Sequence, residues 1–188
     1  MEAIKAIETI YNGYRFRSRL EARYAVAFDA MGIKYEYEPE GFTLRDGTKY
    51  LPDFMLTNVR HRSYRGDEFE PIYVEVKGMM SPADKHKAEL FEMPLLIVGE
   101  LPKGNDFPIG LDWNEETEFW TFAYIDGDYY PARFSMYKGE IWLAGPDHRE
   151  DDCGNLMEIG IKAAKQARFE HGEHGTTERG FDEWKWNI

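Results

Sequence analysis

The sequence has few of the features that mark secreted, metal-cluster or membrane proteins. Its single cysteine, Cys153, excludes an intramolecular disulfide framework and a thiolate zinc cluster. No apolar run approaches the roughly 20 residues that a helix needs to cross a bilayer. The first residues, Met1 to Lys5, lack the basic-then-apolar order of a signal peptide. These absences predict a cytoplasmic protein with no membrane partner.

Basic residues are also scarce. The chain has 23 lysines and arginines against 35 aspartates and glutamates, a net charge of −12, whereas nucleic-acid-binding proteins normally rely on basic side chains for phosphate affinity. Residues 1–104 carry 15 basic and 17 acidic residues (net −2), and residues 105–188 carry 8 and 18 (net −10). A nucleic acid is therefore expected to bind the N-terminal part, and the acidic C-terminal part is suited to a basic protein partner.

Hydrophobic residues, by contrast, are plentiful. They make up 43% of the 188 residues, and aromatic residues make up 15%, which is ample for a folded core. The local patterns predict an α/β (α+β) protein with a central mixed β-sheet flanked by helices. The one credible internal boundary is at residues 102–105. It separates a core, residues 1–104, from an acidic, aromatic C-terminal part, residues 105–188, which is expected to form an antiparallel β-meander and a final helix packed on the core.

Turn and capping residues locate the elements of the core. Ser18 and Glu21 have the spacing of a capping box at a helix start, and Gly32 suits the position after the end of that helix. Pro52 interrupts a strand-like run and predicts an edge or a bulge just before Asp53. The predicted elements, in chain order, are a helix over 18–31, strands over 33–38, 42–45 and 49–56, an exposed loop over 57–71, a strand over 72–77, a helix over 82–91 and a buried strand over 95–99.

The strand over 72–77 carries the residues with the clearest chemistry. Apolar and polar residues alternate along it, so one face displays Glu75 beside Lys77. Asp53, from the preceding strand, could bring a second carboxylate to the same place. Carboxylates bind divalent cations, and a neighbouring lysine can orient a water or stabilise developing negative charge. The pattern therefore predicts a Mg²⁺ or Mn²⁺ site that acts on a phosphodiester.

These residues resemble the motif of the PD-(D/E)XK nuclease superfamily, and the resemblance covers about residues 14–100. The residues that carry it are Glu21 on the first helix, Pro52 and Asp53, and Glu75, Val76 and Lys77. The resemblance implies a restriction-endonuclease-like core and a Mg²⁺-dependent deoxyribonuclease that leaves a 5′-phosphate and a 3′-hydroxyl. The short chain is most similar to nucleases of phages or mobile elements. This resemblance implies that the protein is located in a bacterial cell or a phage-infected host cell.

The same resemblance assigns a role to each residue. It implies that Glu21, Asp53, Glu75 and the carbonyl group of Val76 bind the metal, and that Lys77 assists the attacking water. Glu21 has a second interpretation, because its capping-box position suits a carboxylate that only caps its own helix. One carboxylate cannot serve a cap and a metal equally well, and the sequence leaves both roles open.

Several basic residues are candidates for contact with nucleic acid. They are Arg15, Arg17, Arg19, Arg23, Arg60 and Arg62. Lys85 on the second helix is a candidate accessory residue, because relatives in this superfamily can carry a lysine near the metals at this place. Each of these side chains could instead belong to a solvated surface.

A second function remains open at the level of sequence. A nuclease-like fold could act as a non-catalytic binding protein or DNA mimic through its acidic C-terminal part. The intact set of two carboxylates and a lysine argues against this alternative, because a protein that only binds has no chemical need for it. A homodimer is compatible with cleavage of both DNA strands, although nicking needs one site only.

Overall fold

The computed structural model describes residues 7–61, 70–102, 121–145 and 156–169. Within these ranges the helices are α1 (Arg19–Ala30), α2 (Pro82–Leu90) and α3 (Leu156–Gln166). The strands are β1 (Thr9–Tyr11), β2 (Tyr14–Phe16), β3 (Tyr35–Tyr37), β4 (Phe42–Thr43), β5 (Lys49–Tyr50), β6 (Phe54–Leu56), β7 (Val59–His61), β8 (Ile72–Val76), β9 (Leu95–Val98), β10 (Thr121–Ile125), β11 (Asp128–Pro131), β12 (Arg133–Tyr137) and β13 (Glu140–Ala144).

A six-stranded mixed sheet forms the centre of the molecule, in the order β11-β10-β9-β8-β6-β3. The strands β8 and β9 run parallel, and the other neighbouring strands of this sheet are antiparallel. A parallel pair needs a crossover connection, and α2 lies in the chain between β8 and β9. The predicted mixed sheet with helices is therefore confirmed, and the strand predicted at 95–99 is present and buried as β9.

The alternation along β8 separates two apolar clusters. Ile72, Val74 and Val76 belong to the large cluster that includes α1, whereas Tyr73 belongs to a smaller cluster with residues of α2. All five residues of β8 are buried, so both faces of the sheet are covered at this strand. Glu75 therefore lies in the interior, with apolar clusters on both faces of the sheet. Burial of its carboxylate is costly unless that group has partners.

The first helix begins and ends where the sequence predicted. Ser18 is its N-cap and accepts a hydrogen bond from the backbone N–H of Glu21 at 3.2 Å. Gly32 follows with φ +72°, a backbone conformation that suits glycine. In α2, Ser81 and Asp84 form a full capping box, and Pro82 occupies the first turn. Helix α3 packs against α1, where Gly160 lies so close to Met31 that an added Cβ would be 2.9 Å from its side chain.

Three predictions for the strands were wrong in detail. The run at 49–56 is broken at residues 51–53 into β5, which pairs with β4, and β6, which joins the central sheet. The predicted loop over 57–71 contains β7, which pairs with β13 in parallel. The C-terminal strands form two hairpins in different sheets rather than one meander, because β10 and β11 extend the central sheet while β12 and β13 form a second sheet with β7.

The described residues on the two sides of the predicted boundary at 104 share sheets and a core. Strand β10 pairs with β9, and Ala123, Phe134 and Leu156 belong to the same apolar cluster as Phe28 and Phe54. Of the described helices, none has the length and apolar character that a bilayer-spanning helix needs.

Candidate functional site

Asp53 and Glu75 lie at the same end of the ladder between β6 and β8. The register pairs Phe54 with Val74, so each acidic residue is one position beyond that pair. The backbone N–H of Asp53 donates to the carbonyl of Val74 at 2.9 Å, which holds the break between β5 and β6 against β8. Both acidic residues are buried, with 4% of Asp53 and 9% of Glu75 exposed. The proline-induced interruption thus places one carboxylate beside the strand that bears the other.

The carboxylate of Asp53 has two strong partners. Its Oδ2 accepts a hydrogen bond from the backbone N–H of Val76 at 2.7 Å, and its Oδ1 pairs with Nη2 of Arg17 at 2.7 Å. Burial, followed by the negative charge of Glu75, raises the pKa of Asp53 to about 7, and Glu21 adds to this increase. The hydrogen bond from Val76 and the charge of Arg17 oppose the increase without cancelling it. Burial beside other carboxylates therefore disfavours the charged form of Asp53, which a further cation nearby would favour.

Glu75 is held between a tyrosine and a lysine. Its Oε2 accepts a hydrogen bond from the hydroxyl of Tyr50 at 3.0 Å, and its Oε1 pairs with Nζ of Lys77 at 2.6 Å. Lys77 lies 3.5 Å from Oδ1 of Asp84, at the start of α2. Burial lowers the pKa of Lys77, but Glu75 and then Asp84 outweigh burial and raise it. Lys77 is therefore an ammonium at neutral pH, which suits electrostatic stabilisation and not proton abstraction.

Glu21 lies in α1 and is 7% exposed. Its Oε2 accepts hydrogen bonds from the hydroxyl of Tyr37 at 2.7 Å and the backbone N–H of Arg17 at 3.1 Å, and its Oε1 is 2.7 Å from the hydroxyl of Ser18. The predicted capping box is therefore only half formed: Ser18 caps the N–H of Glu21, but the Glu21 carboxylate accepts from the N–H of Arg17, one residue before the N-cap. The charge of Glu21 also acts on Asp53, so the second interpretation stays open.

Replacing Ser18 by alanine is expected to lower the free energy of unfolding by about 1 kcal/mol, the usual cost of losing a helix N-cap. The reason is that the Ser18 hydroxyl both accepts from the N–H of Glu21 and contacts its carboxylate. Urea denaturation measures the change. Ser18→Thr keeps the hydroxyl and should retain most of the stability, whereas equal stability of the alanine variant and the wild type would contradict the assigned cap.

Three partners at this site were not predicted from the sequence. Tyr50 and Tyr37 bind the carboxylates of Glu75 and Glu21, and Arg17, predicted only as a nucleic-acid contact, pairs with Asp53 and with Glu38. The strands predicted at 33–38 and 49–56 include these tyrosines, but no local signal shows which carboxylate a tyrosine will reach. These contacts connect residues 16 to 36 positions apart.

The arrangement fits a divalent cation in ligand type and in charge. Asp53 and Glu75 supply hard oxygen ligands, and the raised pKa of Asp53 reflects its burial and then the negative charge of Glu75. In the described part of the chain, no three acidic, histidine or cysteine side chains are arranged as a ready metal-binding group. At Asp53 and Glu75, Arg17 and Lys77 already pair with one oxygen of each carboxylate. Such an ion would have to share or replace these contacts.

A narrow recess opens beside Glu75 on the side of α2. It offers about 10 Å³ of space for water, roughly the amount that one water needs. Its lining includes Tyr50, Glu75, Asp84 and Lys87. The recess leaves room for about one water beside a carboxylate that is otherwise buried.

The other basic candidates are spread over the surface. Arg15 is exposed and pairs with Glu8, Arg19 is exposed, and Lys85 is exposed on α2. Arg23 is half-buried in α1, and its Nε has no hydrogen-bond partner among the described residues.

Arg60 lies in β7 rather than in a loop. It pairs with Glu140 at 2.6 Å, and its guanidinium is 5.9 Å from the ring centroid of Trp142. These contacts attach Arg60 to β13, so it supports the second sheet. Arg62 lies outside the described residues.

Comparison with known proteins gave no relative. No protein-family model, no curated protein and no solved structure matches this chain with significance.

Proposed function

We propose that the chain is a metal-dependent nuclease that hydrolyses DNA phosphodiester bonds. The observation that carries the proposal is the meeting of two buried carboxylates, Asp53 and Glu75, with the Lys77 ammonium at one end of the β6–β8 ladder. The raised pKa of Asp53, caused first by burial and then by the charge of Glu75, supports cation binding at the same place. A role in stability alone does not explain these buried charges, because taking them out of water costs free energy.

The order of the elements supports assignment to the PD-(D/E)XK superfamily. Helix α1 is followed by three central strands, β3, β6 and β8, then by α2 and the strand β9. The proposed site lies on the middle strands of this series. The order of the elements and the positions of the motif residues on them therefore support the same superfamily.

Each residue has a distinct task in the proposed reaction. Asp53 and Glu75 would hold the cation, together with the carbonyl of Val76, and Glu21 would bind a second ion or a metal-bound water. A bound Mg²⁺ or Mn²⁺ supplies Lewis-acid stabilisation and a more acidic water. Lys77, whose pKa is raised by Glu75, would orient the attacking water and stabilise the charge on the phosphate. Water attack on phosphorus and loss of the 3′-oxygen would leave a 5′-phosphate and a 3′-hydroxyl.

The test is cleavage of end-labelled double-stranded and single-stranded DNA by the purified chain. We expect cleavage with Mg²⁺ or Mn²⁺, no cleavage with EDTA, and 5′-phosphate ends that a ligase accepts. A Glu75→Gln protein purified in the same way controls for contaminating nucleases. The same rate of cleavage in both preparations, or no cleavage under any metal condition, would remove the basis of the proposal.

The alternative of a non-catalytic binding protein has no specific support in the described structure. Its candidate surface is the acidic C-terminal part, of which the structure describes residues 121–145 and 156–169. In these ranges Trp142 contacts Arg60 and Tyr137 and so takes part in packing. The nuclease remains the function that the arrangement of side chains supports best.

A further inference from the structure

Arg17 connects the entrance of the site to its buried carboxylate. It lies between β2 and the N-cap of α1, and its guanidinium bridges two acidic residues. Nη2 is 2.7 Å from Oδ1 of Asp53, and Nε is 2.8 Å from Oε1 of Glu38. A counter-charge for Asp53 is thus already supplied from within the chain, by a side chain that the PD-(D/E)XK motif does not include.

The two partners of this ion pair differ in their freedom to move. The side chain of Asp53 is 5% exposed and receives a backbone hydrogen bond from Val76, whereas the side chain of Arg17 is 55% exposed. A guanidinium keeps its charge at every accessible pH, so it cannot leave by losing a proton. It can leave Asp53 only by turning toward solvent, where water replaces the lost hydrogen bonds.

Glu38 provides an independent indication that this contact is built into the fold. Its φ is +47°, a left-handed conformation that non-glycine residues adopt at a cost. In this conformation its backbone N–H donates to the carbonyl of Asp53 at 2.9 Å while its carboxylate holds Arg17. The strained residue therefore positions both Asp53 and the cation opposite it.

We propose that Arg17 is an exchangeable counter-ion of Asp53, which a divalent cation must displace from Oδ1 in order to bind. This inference rests on the proposed function, because Asp53 is also the proposed metal ligand. In the absence of metal, Arg17 supplies a positive charge to the buried Asp53 carboxylate, which also experiences the negative charges of Glu75 and Glu21. Arg17 therefore weakens metal binding and sets the metal concentration at which the site fills.

The exchange also gives the released guanidinium a task. Once it leaves Asp53, Nη2 of Arg17 can donate to another acceptor while Nε stays near Glu38, and a DNA phosphate would attract it. A phosphate that holds Arg17 away from Asp53 would favour metal binding, and metal binding would in turn favour the phosphate contact, because coupling between two ligands is reciprocal. The site would then fill most readily when its substrate is present.

Titration calorimetry with Mn²⁺ alone tests the exchange without any cleavage reaction. The Arg17→Gln protein is expected to bind Mn²⁺ at least about fivefold more tightly than the wild type, the lower end of typical coupling effects. Arg15→Gln is the matched control, because Arg15 belongs to the same segment but pairs with Glu8; its Mn²⁺ affinity should equal that of the wild type. Asp53→Asn should lose the binding.

The outcomes separate the inference from the function on which it rests. Equal affinity of wild type and Arg17→Gln, with binding lost in Asp53→Asn, would overturn the exchange and leave the nuclease proposal standing. No Mn²⁺ binding by any of the proteins would overturn both. If circular dichroism shows that Arg17→Gln does not fold, Arg17→Lys replaces it, because an ammonium cannot bridge Glu38 and Asp53 as a guanidinium does. The Arg17→Lys protein should bind Mn²⁺ more tightly than the wild type, and an unchanged affinity would overturn the exchange.

Discussion

Replacing Glu75 by glutamine is expected to lower the rate of Mg²⁺-dependent DNA cleavage by at least about 10²–10³-fold, the scale seen when one preorganised charge-stabilising group is removed. Glutamine has the shape of glutamate but lacks the negative charge that holds a cation and pairs with Lys77. The Tyr50 hydroxyl can rotate to accept from the new amide, so the fold should be retained. Initial rates at saturating Mg²⁺ measure the effect.

The matched control is Glu36→Gln, which makes the same chemical change at an exposed position of β3. It should cleave at the wild-type rate. A Glu75→Gln protein that keeps its circular dichroism spectrum and more than a tenth of the wild-type rate would place the cleavage activity elsewhere in the chain. Loss of activity in both variants would point to a general charge effect instead.

Asp53→Asn is expected to remove a large pH dependence from the stability of the metal-free protein. The pKa of Asp53 in the folded chain is about 7, well above the ~3.9 of a free aspartate. Between these values the folded chain holds a proton that the unfolded chain has released, so the free energy of unfolding falls as pH rises from about 4 through about 7. Asp53 should therefore make the wild type less stable at pH 8 than at pH 5 by roughly 2–3 kcal/mol.

Urea denaturation in EDTA at pH 5 and pH 8 measures this difference. The carboxamide that replaces the Asp53 carboxylate does not ionise. The stability of the variant relative to the wild type should therefore be higher at pH 8 than at pH 5. Asp46→Asn is the control, because a hydrogen bond from the Thr48 N–H lowers the pKa of Asp46, which is then ionised at both pH values whether the chain is folded or unfolded. It should keep the wild-type pH dependence. The same pH dependence in wild type and Asp53→Asn would show that Asp53 ionises normally. Added Mg²⁺ should recover stability at pH 8 in the wild type only.

Local signals in the sequence were sufficient for α1 and β8, two of the elements that carry the site. Ser18 and Gly32 mark the two ends of α1, and the alternation in 72–77 correctly separated the two faces of β8. Pro52 predicted the interruption that holds Asp53 beside β8. These features depend on residues close together in the chain, whose conformational preferences do not require knowledge of the tertiary fold.

Features set by distant partners could not be predicted in this way. Strand β7 is short and polar, and it is a strand because β13, from a much later part of the chain, pairs with it in parallel. The run at 129–136 has the pattern of one strand, but β11 and β12 part at Ala132 to join different sheets. At the site, the pairing of Arg17 with Asp53 joins residues 36 positions apart, and neither residue type nor spacing selects that partner.

The pairing of β9 with β10 and of β7 with β13 has a consequence for how the protein reaches its native state. Each contact joins an early strand to a late one, so the first cannot form until the ribosome has synthesised β10, and the second must wait for β13. Until β10 emerges, the growing chain presents β9 as an unpaired, wholly apolar edge, which is a template for association with other chains. We expect the nascent protein to depend on chaperones until β10 pairs with β9 and covers that edge.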